Sequence, residues 1–131
     1  MVLGVAYKKD VSDCRESPAL DVMRLLTEKG AILTYNDPFV ATLRLGPHIL
    51  KSVDTSPAEI AKHDCVIILT DHSSYDFRQI VQAAKLVVDT RNSTKDLHQF
   101  KDRIIKLGAG NSVRPENISD RHEASPAVFT H

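Results

Sequence analysis

The sequence holds only two cysteines, Cys14 and Cys65, too few for a disulfide framework. It also lacks a charge surplus, because seventeen Lys and Arg offset seventeen Asp and Glu. Nucleic-acid binders ordinarily carry a basic excess, so no nucleic-acid partner is expected. No apolar run approaches the roughly 20 residues that cross a bilayer. The longest clean one, Cys65 to Leu69, has the length of a strand. Met1 to Asp10 show neither the basic start nor the apolar stretch of a signal peptide, so a cytoplasmic chain with no membrane partner is expected. The six histidines, His48, His63, His72, His98, His122 and His131, have no zinc-site spacing, and no metal is expected.

What is present is an ordinary globular composition. Of 131 residues, 42% are hydrophobic and 26% charged. A chain of this length forms one domain and buries roughly two-thirds of its unfolded surface. Apolar runs alternate with helical patterns. Strands are predicted over Val2–Tyr7, Ala31–Tyr35, Cys65–Leu69, Leu86–Asp89 and Arg103–Leu107. Helices are predicted between them. Ser17 and Pro18 open the first as N-cap and first-turn proline, and Ala19, Val22, Met23 and Leu26 form one apolar stripe up to a stop at Gly30. Ser56-Pro57 repeats that start for a short helix to His63, and Tyr75–Lys85 carries the third. Residues 39–55 read poorly, with a turn at Gly46-Pro47 and a short strand expected near Ser52–Asp54.

Non-alternating apolar strands separated by helices imply parallel pairing with helices on both faces. The fold class expected is therefore α/β, a Rossmann-like doubly wound and mainly parallel sheet. The domain is expected to span 1–110. Residues 111–131 lack periodicity and are expected to form a flexible tail.

In such sheets ligands collect beyond the carboxyl ends of the strands. That rule singles out Lys8–Arg15, Thr70–Ser74 and Thr90–Ser93. Lys8, Lys9 and Arg15 precede a helix start, a combination suited to phosphate. Arg91 directly follows a strand, where its planar fork could meet a carbonyl, hydroxyl or phosphate. The plainer reading, that the lysines are a solvated strand end and Arg15 pairs with Asp13 or Glu16, stays open at this level.

Other motifs carry less. Gly4-Val5-Ala6-Tyr7-Lys8-Lys9 is not the Gly-x-Gly-x-x-Gly dinucleotide fingerprint, and Gly108-Ala109-Gly110 has no helix after it. Asp71-His72-Ser73 cannot make a hydrolytic triad, since adjacent residues do not converge, and a capped turn is expected. Cys14 lies among basic residues that favour thiolate, yet no histidine stands near as a base, so a solvent-facing loop thiol is expected. Cys65 is expected in the core.

Together these residues resemble a known family. Val2-Leu3-Gly4-Val5-Ala6-Tyr7-Lys8-Lys9-Asp10 followed by Asp13-Cys14-Arg15-Glu16-Ser17-Pro18-Ala19 resembles the opening of the C-terminal UDP-binding domain of the UDP-glucose/GDP-mannose dehydrogenases. Tyr35-Asn36-Asp37-Pro38, Thr70-Asp71-His72 and Val88-Asp89-Thr90-Arg91-Asn92 fit the same pattern in order. The Thr90-Arg91-Asn92 form leans toward members that oxidise UDP-N-acetylhexosamines.

The resemblance implies a homo-oligomeric parent enzyme of polysaccharide biosynthesis. Such an enzyme oxidises the C6 hydroxymethyl of a UDP-sugar to a carboxylate with two NAD in succession. An N-terminal Rossmann domain would hold NAD and a middle region would supply the catalytic cysteine, neither of which lies in these residues. No catalytic residue is therefore expected in this chain, which alone should be inactive. By position, Tyr7, Lys8 and Arg91 match substrate-binding residues, and Arg15 matches an arginine that reaches NAD. A non-catalytic flavodoxin-like domain that binds a nucleotide or phosphate remains the alternative, and a small hydrolase built on Asp71 and His72 is a remote one.

Overall fold

The computed structural model describes residues 1–107. Five strands make one sheet: β1 (Val2–Leu3), β2 (Tyr35–Asn36), β5 (Val66–Ile68), β6 (Val87–Asp89) and β7 (Ile104–Lys106). Their spatial order is β2-β1-β5-β6-β7, and every neighbouring pair is parallel. This is the flavodoxin-like doubly wound order, whose switch point falls between β1 and β5. The expected α/β class holds, with a sheet wholly rather than mainly parallel.

Side chains alternate across the sheet and build two cores. On one face Leu3, Val66, Ile68 and Val87 join Ile60 of helix α2 (Pro57–Ala61) and Ile80 and Val81 of α3 (Phe77–Ala83). On the other, Val2 and Tyr35 join Ala19 and Met23 of α1 (Pro18–Glu28). The fully buried Val2 and Leu3 therefore serve opposite cores, as the two-residue period of a strand requires.

The caps behave as read from the sequence. Ser17 Oγ accepts the Ala19 N–H at 3.2 Å and also donates to Ala6 O at 3.2 Å, fastening the start of α1 to the loop that follows β1. Ser56 Oγ accepts from Glu59 N. α3 starts at Phe77 rather than Tyr75, because Asp76 is its cap and accepts the Gln79 N–H.

Residues 39–55 hold more than was expected. β3 (Thr42–Leu45) and β4 (His48–Lys51) form an antiparallel hairpin apart from the main sheet, turning on Gly46-Pro47 with Gly46 at φ +60°. Leu43 and Leu45 face the α1 side of the core while Thr42 and Arg44 face outward. The strand expected near Ser52–Asp54 is displaced to His48–Lys51, and Val53 instead donates its N–H to Tyr35 O.

The main strands are also shorter than the apolar runs suggest. Ala31–Leu33 lie outside β2, because ladder bonding begins where Thr34 O meets Val2 N. A 3-10 turn, His98–Arg103, leads into β7 and was not anticipated. The expected tail, 111–131, and Gly108-Ala109-Gly110 lie outside the described residues.

Candidate functional site

The carboxyl edge of the sheet carries four loops, and one buried carboxylate organises two of them. Asp37 follows β2 and is buried. Its Oδ2 accepts the N–H groups of Val5 and Ala6, at 2.8 and 3.1 Å, and its Oδ1 accepts the Phe39 N–H at 2.8 Å. Three backbone donors on one ion satisfy a carboxylate that would otherwise be costly to bury.

The loop after β5 completes the arrangement. The His72 ring is fully buried, and its Nε2 lies 2.8 Å from Asp37 Oδ2. Its Nδ1 accepts the Asp10 N–H at 2.8 Å. A nitrogen that accepts holds no proton, so Nε2 carries the hydrogen and donates it to Asp37. Asp10 in turn accepts from the N–H of Ser73 at 2.8 Å and from its hydroxyl. These two bonds hold the Asp10 carboxyl below the usual carboxylate range. Asp71-His72-Ser73 is thus neither a triad nor a simple capped turn but a brace between loops.

The two strands at the switch point also touch backbone to backbone. Gly4 has φ +82°, and a Cβ there would lie 2.2 Å from Thr70 O. Only glycine permits that approach. The space on that side of Gly4 is filled by Thr70.

The loop after β6 hangs on Asp89. Its carboxylate accepts from the N–H groups of Arg91, Ser93 and Thr94 and from the Thr94 hydroxyl, at 2.6 to 3.1 Å. Burial pushes its pKa up, but the hydrogen bonds from Thr94, Arg91 and Ser93 outweigh that and hold it below the usual value. Asn92 takes φ +60° in the same loop, a conformation asparagine tolerates well.

The residues singled out in sequence stand on these loops as follows. Tyr7 is 59% exposed, its backbone N–H held by Asp13 O at 2.7 Å. Lys8 and Lys9 are exposed and have no ion pair among the described residues. Arg91 is half-exposed, its Nε 3.7 Å from Asp71 Oδ1. Arg15 points into solvent with its side chain 88% exposed and pairs with Asp13 at 3.2 Å, as the plainer reading held.

Cys14 differs from expectation: it is half-buried and packs against the α1-side core. Cys65 precedes β5 and is half-buried, with burial pushing its thiol up. Among the described residues no group of His, Cys, Asp and Glu could hold a metal. No helix there is long and apolar enough to cross a membrane.

Sequence reasoning missed Asp37 and His72 as organisers. The available signal was Asp37 followed by Pro38 at a strand end, a position where a carboxylate meets backbone N–H groups.

Comparison with known proteins returns a consistent set. The profile described as "UDP-glucose/GDP-mannose dehydrogenase family, UDP binding domain" matches residues 1–96. A UDP-N-acetyl-D-mannosamine dehydrogenase of Methanococcus vannielii is 32% identical over 99 residues, covering 70% of this chain and 22% of its own length. A UDP-glucose 6-dehydrogenase of Rhizobium meliloti is 30% identical over 115 residues, covering 82% of this chain and 25% of its own length. The solved UDP-N-acetyl-mannosamine dehydrogenase of Staphylococcus aureus superposes with a TM-score of 0.55 at 27% identity, over 77% of this chain and 27% of that one. This chain therefore spans only about a quarter of the length of such relatives.

Proposed function

The chain belongs to the UDP-glucose/GDP-mannose dehydrogenase family, matching its UDP-binding domain, and on that footing we propose that the carboxyl edge holds the diphosphate and sugar of a UDP-sugar. The observation that carries this reading is the convergence of the four loops on one braced edge, with Lys8 and Arg91 standing on it and available to an anion. Lys8 acts as a point charge on the diphosphate, while Arg91 forks two hydrogen bonds onto the sugar or diphosphate. Tyr7 offers an exposed ring and hydroxyl beside them.

The parent enzyme, in this reading, is an NAD-dependent oxidoreductase of polysaccharide biosynthesis and a cytoplasmic homo-oligomer. It converts the C6 hydroxymethyl of a UDP-sugar to a carboxylate, a four-electron oxidation that consumes two NAD. NAD would be held by another part of that enzyme, since Gly4–Lys9 lack the Gly-x-Gly-x-x-Gly fingerprint. Arg15 would exchange its exposed pairing with Asp13 for that cofactor, a partner swap that costs little at a solvated site. The substrate leans to a UDP-N-acetylhexosamine, in keeping with the UDP-N-acetyl-D-mannosamine dehydrogenases among the similar proteins.

Calorimetric titration of the chain with UDP, against uridine and inorganic phosphate as controls, tests the reading. Saturable binding of UDP that both controls fail to match is expected. Heats indistinguishable among the three would overturn it. A parallel assay should find no NADH formed from any UDP-hexose by the chain alone, since no cysteine beside a general base stands on this edge among the described residues.

A further inference from the structure

Lys8 is the middle of a short span pinned at both ends. On one side the Tyr7 N–H is held by Asp13 O at 2.7 Å. On the other, Asp10 is held three times by the loop after β5, through its N–H to His72 Nδ1 and through its carboxylate to the N–H and hydroxyl of Ser73. The loop that grips Asp10 also carries Asp71, the partner of Arg91. The loop of Lys8, through Asp10, and Arg91, through Asp71, are therefore both referenced to one tripeptide, Asp71-His72-Ser73, whose histidine is locked in the core by Asp37. Tyr7 is tied to the rest of that loop by Asp13.

Asp10 also adopts φ +64°, in the left-handed region that few residues other than glycine, asparagine and aspartate enter readily. A carboxylate one residue beyond two lysines is a poor choice for anion binding on charge alone. It repels a diphosphate and attracts the lysines away from it. Its geometry suggests a different use.

Resting on the UDP-sugar reading above, we propose that Asp10 and His72 are positioning residues, which act by fixing Tyr7 and Lys8 at a set separation from Arg91 so that the edge meets a nucleoside diphosphate preformed. Neither touches the ligand in this scheme. Preformed geometry saves the ordering cost that a free loop would meet on binding.

The sign of the effect makes the inference testable. Removing the Asp10 charge alone would strengthen binding of an anion. Loss of positioning would weaken it. Asp10→Asn also removes the charge, yet it keeps an acceptor for the Ser73 N–H and tolerates the positive φ. Asp10→Gly relieves the φ requirement but has no acceptor, and Asp10→Ala has neither advantage. Calorimetry with UDP on the full 131-residue chain, well below each variant's melting temperature, is expected to give about tenfold weaker binding for Asp10→Gly and Asp10→Ala. Asp10→Asn should stay within about threefold of the unmodified chain.

Ser73→Ala, which removes one of the three ties without altering charge or φ, should weaken binding by an intermediate factor, and it serves if Asp10→Ala does not fold. UDP binding unchanged or tightened in both Asp10→Gly and Asp10→Ala, with Ser73→Ala unaffected, would overturn the positioning role while leaving the UDP-sugar reading intact. An unmodified chain that ignores UDP would overturn both.

Discussion

Asp71 and Arg91 meet through a single contact, Nε to Oδ1 at 3.7 Å, rather than a two-pronged one. The guanidinium side chain stays 52% exposed, and its Nη atoms make no hydrogen bond among the described residues. A pair of this kind steers an arginine without engaging its fork. Exposed ion pairs contribute less than about 1 kcal/mol, so Arg91→Ala should leave thermal and urea unfolding nearly unchanged. A fall in melting temperature of ten degrees or more would mean that Arg91 braces the strand ends.

Gly4 makes the opposite prediction. An alanine there would combine a positive φ with a Cβ set against the Thr70 carbonyl, where the chain leaves the paired strands β1 and β5. Strain and overpacking of this kind each cost about 1–3 kcal/mol, so Gly4→Ala should lose about 3 kcal/mol or more of stability. Urea denaturation measures it, and a loss below about 1 kcal/mol would show that the approach is looser than described.

How far the sequence foretold these features depended on whether each signal was local. The Ser17-Pro18 and Ser56-Pro57 helix starts, the parallel sheet and the polar loops at its carboxyl edge were legible from periodicity and capping. The hairpin was not. β4 has no apolar alternation, only Leu50 being even partly sheltered, so only Leu43, Leu45 and the Gly46-Pro47 turn hinted at it. The brace through Asp37 and His72 was out of reach for another reason. Its members lie 35 residues apart and converge only once β2, β1 and β5 are placed side by side. Cys14 was misjudged because its neighbours in sequence are polar, whereas its neighbours in space are the α1-side core.

Asp89 should give the domain a measurable acid sensitivity. Its folded pKa lies below the ordinary aspartate value, so around pH 4 the unfolded chain binds more protons than the folded one. The stabilisation is present in full above the unfolded pKa and is lost as pH falls through the folded one. Urea midpoints followed downward from pH 6 should drop below about pH 4. The drop should be shallower in Asp89→Asn, which also loses about 2 kcal/mol at neutral pH by facing the Thr94 N–H with an amide. An identical slope in the two proteins would show that Asp89 does not set the acid sensitivity.

Cys14→Ser should fold and bind UDP as the unmodified chain does. The thiol packs on the core side of the first loop, so the substitution should cost about 1 kcal/mol of stability. Lost UDP affinity in a folded Cys14→Ser protein would place this cysteine in the site.

If Lys8 and Arg91 jointly hold the diphosphate and sugar, removing each separately weakens UDP-sugar binding. Charge-assisted hydrogen bonds are worth roughly 1.5–3 kcal/mol, or about one to two orders of magnitude in affinity. The measurement is UDP-sugar affinity for Lys8→Ala and Arg91→Ala, each paired with its melting temperature, in the chain and in a full-length enzyme that contains it. Affinity should fall about tenfold or more in the full-length enzyme, at nearly unchanged melting temperature. Unchanged affinity in both full-length variants would contradict it.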